Sequence, residues 1–159
     1  MPERGQMNTR VALTADAAAM SRVLRDIIRH TGRERPHDET FVTAQYLANP
    51  ASIRCTVAFD DAGNIFGFQS LIRAEADNRY DVPAGWGIIG THIGPAAHRQ
   101  GVGSALFTSS RRAAEQAALK KIDACIGADN LSGLRYYEAM GFRTYREGNG
   151  IVQKVFTVG

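Results

Sequence analysis

Cysteine is scarce in this chain: only Cys55 and Cys125 are present. Each lies in an apolar run and no C-x-x-C spacing occurs. That argues against a disulfide framework, a dithiol centre or a cysteine metal site, and two buried free thiols are expected. Long apolar runs are also missing. Nothing approaches the roughly 20 residues a membrane span needs. The first residues carry Glu3 and Arg4 but no apolar signal-like stretch, so a cytoplasmic protein with no membrane partner is expected. Excess charge is small, with 19 Lys and Arg against 16 Asp and Glu. No helix shows a dense basic face with interleaved aromatics, so nucleic acid is not an expected partner. A mild positive charge does suit an anionic small molecule. No metal is expected.

What is present fits one domain. A length of 159 residues with ordinary composition suits a single core. Residues 1–8 lack apolar periodicity and read as a loose terminus, which leaves 9–159 as the domain. Residues 10–13 form a short strand. Met20, Val23, Leu24, Ile27 and Ile28 then recur at helical spacing, with Thr14 or Asp16 to cap the start and Gly32 to end it. Asp38 can cap a second helix through Phe41, Ala44 and Leu47. Residues 53–59 and 65–72 alternate in polarity around a turn at 60–64 and read as a hairpin. Residues 74–84 form a loop, and 86–93 a third strand closed by Pro95. The second half alternates: a helix from Val102 to about Ala117, a strand at 121–126, a helix at 130–140 capped by Gly141, and strands at 142–146 and 151–158. This order predicts an α/β or α+β domain with a mixed sheet.

One segment carries chemistry by itself: His98-Arg99-Gln100-Gly101-Val102-Gly103-Ser104. It follows a strand and opens a helix. The first amides of a helix lack internal partners and the helix dipole favours an anion there. Glycines let a phosphate approach those amides, Arg99 adds charge and Ser104 a hydroxyl. It is not a P-loop, since no Lys follows either glycine. It is not a dinucleotide loop either, since Leu106 stands at the third glycine and only one strand-helix-strand unit is available.

The turn resembles the coenzyme A loop of the GNAT superfamily of N-acyltransferases, whose pattern is Q/R-x-x-G-x-G/A after a strand ending V-x-P. Here Ile93-Gly94-Pro95 supplies the strand end, and His98 replaces the usual Gln or Arg. A second segment is similar to the family's N-x-x-A-x-x-x-Y-x-x-x-G-F: it runs from Asn130 through Tyr137 to Gly141-Phe142, with Gly133 in place of Ala.

The resemblance implies a single domain with a mixed sheet of about seven strands, splayed at the cofactor site, and about four helices. It implies acetyl-CoA held by Ile93, Arg99, Gln100, Gly101, Val102, Gly103, Ser104, Asn130, Gly133 and Tyr137. It implies an N-acetyltransferase in which a primary amine, on a small molecule or peptide, attacks the thioester directly through a tetrahedral intermediate. The Ile93 amide would stabilise the oxyanion and Tyr137 would protonate the leaving sulfur. Tyr136 is a lesser candidate for cofactor contact. His92, on the strand beside Ile93, is the candidate base, with Glu75 or a water chain as alternatives. Arg111 or Arg112 could reach the 3′-phosphate. A homodimer would be in keeping with the family. The departures at His98 and Gly133 leave open a non-catalytic module that binds acyl-CoA or a partner.

Overall fold

A computed structural model describes residues 7–97 and 101–159. Strand β1 (Asn8–Val11) leads through a single 3-10 turn, Thr14–Asp16, into helix α1 (Ala17–Thr31). It starts two residues ahead of the sequence reading and stops two short. The expected cap of α1 is absent. Asp16 instead accepts from the Leu13 amide at 2.7 Å and from both terminal nitrogens of Arg10 at 2.8 and 3.0 Å. The guanidinium holds its carboxyl below the usual range. Gly32 ends α1 in the left-handed conformation, as its position implies.

Helix α2 (Glu39–Val42) is capped by Asp38, whose Oδ1 accepts from the Phe41 amide at 2.8 Å. Past Val42 it widens into a π turn, Thr43–Leu47, closed by the Ala48 amide on the Thr43 carbonyl. Strands β2 (Ser52–Phe59), β3 (Ile65–Arg73) and β4 (Gly87–Ile93) form an antiparallel meander. Then come α3 (Val102–Gln116), β5 (Lys121–Gly127), α4 (Leu131–Met140), β6 (Arg143–Gly148) and β7 (Ile151–Thr157). The sheet order is β1-β2-β3-β4-β5-β7-β6, and β4·β5 is the parallel pair. Among the described residues, seven strands in one mixed sheet and four α-helices match the expected architecture.

Strand alternation divides the core. On one face, α1 and α2 cover Cys55, Val57 and Phe68 with Met20, Val23, Leu24, Val42 and Tyr46. On the other, α3 and α4 cover Leu71, Ile89, Ile122, Ala124 and Ile126 with Phe107, Ala114, Tyr137 and Phe142. Both cysteines are free, with Cys55 buried and Cys125 half-buried.

The parallel pair positions the site. Hydrogen-bond register joins Gly87, Ile88 and Ile89 to Ile122, Asp123 and Ala124, and there it stops. Both strands run on, to Ile93 and Gly127, without pairing to each other. Gly87, Ile88 and Ile89 are buried, whereas Gly90, Thr91, His92 and Ile93 are partly open. The sheet is thus splayed from its midpoint, leaving main-chain groups of β4 without a strand partner on that side.

Candidate active site

The glycine turn opens α3. Gly101 is the residue before the helix and takes a left-handed conformation, φ 76°. Val102, Gly103 and Ser104 form the first turn, so their amides point out of the helix without intrahelical acceptors. Val102 turns its side chain into a small core with Ala58, Ala97 and Leu106. His98, Arg99 and Gln100 lie outside the described residues. Gly103 has a second constraint that spacing could not show. A Cβ there would collide with the ring of Tyr136, whose hydroxyl donates to the Gly103 carbonyl at 2.8 Å.

Helix α4 starts at Asn130, whose Oδ1 accepts from the Gly133 amide at 3.0 Å. This accounts for glycine at 133: a Cβ would sit 2.6 Å from the Asn130 Nδ2 and 3.2 Å from Ile126. The cap uses the carbonyl end of the Asn130 side chain and leaves its amide NH2 as a donor, just past the end of β5. Two turns on, Tyr137 is buried against Phe142, their ring centroids 5.1 Å apart.

The gap between β4 and β5 is lined on the α4 side by a hydroxyl network. The Tyr137 and Thr91 hydroxyls are 2.8 Å apart. Gln69 Nε2 donates to Thr91 Oγ1 and to the Tyr136 hydroxyl, both at 2.9 Å. Gln69 is fully buried and its Oε1 has no partner among the described residues. Burial pushes the Tyr137 phenol well above its ordinary value, partly offset by its bonds from Thr91, and Tyr136 is pushed up to about 12. Both therefore hold their protons across the physiological range. Thr91 and Gln69 were not anticipated. Their signal is only that polar residues stand at inward positions of strands, which needs register to interpret.

His92 lies on the opposite face of β4, opposite Phe68 in the ladder. Its ring packs on Phe68 and Tyr46. Nδ1 is 3.3 Å from Arg35 Nη1 and Nε2 is 3.4 Å from the Tyr46 hydroxyl. Burial first, and the Arg35 charge second, lower its pKa to about 3. The π turn is what carries Tyr46 to this point. Thus the two residues read as catalytic, Tyr137 and His92, flank the same strand from opposite sides. Glu75 is not brought to this place. It lies beyond Arg73, which pairs with Gly87 at the far end of β4. Arg111 sits over the Phe156 ring, nine residues into α3, roughly 14 Å from the helix start.

Asp123, on the His92 face, is fully buried and accepts from the Tyr145 hydroxyl and, at 3.1 Å, from Gln153. Burial pushes its carboxyl up. Among the described residues no His, Cys, Asp and Glu cluster could hold a metal, and no helix is long and apolar enough to cross a membrane. A hollow of about 500 Å³ opens beside Gly94, Pro95 and Ala96, between Arg22 and Asp26 of α1 and Phe66. Thr91, His92 and Tyr137 do not line it.

A sequence model described as the acetyltransferase (GNAT) family matches residues 20–142, most of the chain. No curated protein matches. Among solved structures, yncA from Salmonella typhimurium with its cofactor acetyl-CoA is 20% identical. It superposes with a TM-score of 0.76 over 96% of this chain and 94% of that one. A GCN5-related N-acetyltransferase from Kribbella flavida gives 0.76 at 19% identity over 95% and 97%. The GNAT domain of S. lividans PAT gives 0.80 at 15% identity over 96% and 91%. At these identities the structures speak for the fold, and the family match speaks for the lineage. The chain belongs to the acetyltransferase (GNAT) family and is an acyltransferase of that family.

Proposed function

We propose that the protein transfers an acetyl group from acetyl-CoA to a primary amine on a small molecule or peptide, using the gap between β4 and β5. The observation that carries this is the end of β4·β5 pairing at Ile89 and Ala124, with the Tyr137 hydroxyl set into that gap on Thr91. The gap, the free amides opening α3 and the donor end of Asn130 fit a long, polar-headed thioester cofactor. Ile93, Gly101, Val102, Gly103, Ser104, Asn130, Gly133 and Tyr137 are the described residues assigned to hold it. When bound, acetyl-CoA supplies an activated acyl group that an amine attacks directly, through a tetrahedral intermediate.

The chain's own part is positioning, oxyanion binding and proton transfer. Main-chain amides on the open edge of β4, Ile93 above all, are assigned to the oxyanion, since preorganised donors act without reorganisation. Tyr137 is the acid. Thr91 Oγ1 already accepts from Gln69, so its own proton is free to go to the Tyr137 oxygen. The phenolic proton is then left pointing into the gap. His92 with a pKa of about 3 is a poor acceptor for an ammonium proton, because amines of the lysine type ionise near ~10. Loss of that proton is assigned to water on the open face, with His92 as a neutral wall that orients its neighbours.

The test is Tyr137→Phe, with thiol release as the readout across a broad amine panel. Loss of general acid help lowers kcat by about 10²–10⁴-fold, while acetyl-CoA binding measured by calorimetry persists. Full activity of this variant at all pH values removes Tyr137 from the acid role. Acetyl-CoA binding by wild type with no turnover across the panel overturns the transfer reading itself.

A further inference from the structure

The His92 face of the gap is ringed by arginine. Gly90 and Gly127 leave its floor without side chains at the open ends of β4 and β5. The loop after α1 contributes Arg33 and Arg35. Arg33 Nη1 lies 3.5 Å from where a Cβ of Gly127 would stand. Arg35 Nη1 lies 3.3 Å from His92. From the other side Arg79 and Arg146 are close enough for their charges to act on the Cys125 thiol, which lies between on β5.

These charges are weakly answered. Arg33 pairs at 3.0 Å with an exposed Asp129, and Arg146 at 3.6 Å with an exposed Asp81. Such pairs contribute little. Asp123 lies buried beneath, already bonded to Tyr145 and Gln153. Among the described residues, Arg35 and Arg79 have no carboxylate within ion-pair distance.

Arg35 is also held still. Its Nε donates to the Pro36 carbonyl at 3.2 Å, and Nη2 donates to the Tyr46 hydroxyl at 2.8 Å. Nη1 is directed at His92, and the guanidinium rests against Phe41, 5.9 Å from the ring centroid. Three of its five N–H groups are engaged. One on each terminal nitrogen is left to donate to an anion such as a carboxylate or phosphonate. Neutral His92 and the Tyr46 hydroxyl hold this guanidinium without neutralising it.

We propose, on the basis of the acetyl-transfer reading above, that the acceptor is a primary amine that also bears a carboxylate or similar oxyanion, and that Arg35, with Arg33 beside it, binds that oxyanion. A polyamine or a lysine in a basic peptide is then a poor acceptor.

The experiment uses the full chain and matched pairs: several L-amino acids with their carboxamides, an aminoalkylphosphonate with its alkylamine, and spermidine. Thiol release is compared for wild type, Arg35→Gln and Arg35→Lys, each checked for unchanged acetyl-CoA affinity. At least one anionic amine is expected to exceed its neutral partner by about tenfold or more in kcat/KM. Arg35→Gln brings the pair near parity, and Arg35→Lys recovers only part. Equal or better turnover of the neutral amines or spermidine overturns the inference. So does a preference that Arg35→Gln leaves unchanged. Calorimetry on the coenzyme A-saturated protein with the same compounds separates the two readings. Anion binding lost in Arg35→Gln, with no turnover anywhere, supports the anion site and sinks acetyl transfer. Absence of both turnover and selective anion binding overturns both.

Discussion

Gly103 serves two demands at one residue. As the second helical position of α3 it leaves an amide without an intrahelical acceptor, the one proposed to meet the cofactor's phosphate, and it also clears room for Tyr136, which bonds its carbonyl. The second demand is the stricter one, since Tyr136 is pinned by Gln69 as well. Gly103→Ala is therefore expected to cost about 1–3 kcal/mol by overpacking, read from urea unfolding. A stability within experimental error of wild type shows that the ring moves aside freely. Thr91→Val tests the hydroxyl network. It removes the bond that orients Tyr137 but keeps shape and β propensity. The expectation is a fall in kcat with the KM for acetyl-CoA little changed, and rescue by Thr91→Ser. Equal effects on kcat and KM, or no rescue, point to a packing role alone. The family motif made Tyr137 legible in the sequence, but its partners Thr91 and Gln69 were not. They are 22 residues apart and become neighbours only through the β3–β4 register, Gln69 opposite Thr91.

At the scale of elements, helix ends were the most readable feature. Asp38, Gly32 and Gly141 cap as their types predict, because side-chain oxygens and left-handed glycines answer a local hydrogen-bond deficit. Asp16 misled for an equally physical reason: Arg10, close by across the turn, competes for the carboxylate. The turn between β6 and β7 is also local, with Asn149 and Gly150 both at positive φ. Its asparagine-glycine pair was available as a signal. The π turn after α2 was not readable, since the apolar spacing fits an ordinary helix. Tertiary contacts of Tyr46 with Phe68, His92 and Arg35 accompany the wider winding. The cap of α4 gives a prediction at this scale. Asn130→Ala should cost about 0.5–2 kcal/mol and weaken acetyl-CoA binding, both measurable in one thermal series. Unchanged cofactor affinity with the stability loss confines Asn130 to capping.

For the whole molecule, pH is a sensitive probe. His92 has a folded pKa of about 3 against an ordinary value near 6.5. The unfolded chain therefore binds a proton that the folded chain refuses between those values. This contribution is fully present above pH 6.5 and is lost as pH falls toward 3. Asp123, pushed upward by burial, slopes the other way just above its ordinary value. The contrast between wild type and His92→Gln isolates the histidine: the variant should lose less stability from pH 7 to pH 4 in urea titrations. Parallel curves would mean that His92 is as easily protonated in the fold as outside it. In activity, no limb near 6.5 is expected in kcat/KM, and the profile should follow the acceptor amine. A ligand that binds only the folded state stabilises it by mass action, so acetyl-CoA at a hundredfold over its Kd should raise Tm by roughly 5–10 °C.

The sequence by itself determined the order of elements, most of the capped helix ends and, through two spaced motifs, the family. These rest on period, local hydrogen bonding and backbone freedom, which neighbours in the chain settle among themselves. Only the tertiary structure decided where β4 and β5 part, which polar side chains meet there, and that Tyr137 and His92 stand on opposite faces of one strand. It also decided that the mixed charges after α1 include an arginine that, among the described residues, is held without an acid. Those outcomes depend on the register of strands far apart in sequence and on which charged group reaches which partner first. No local pattern encodes either.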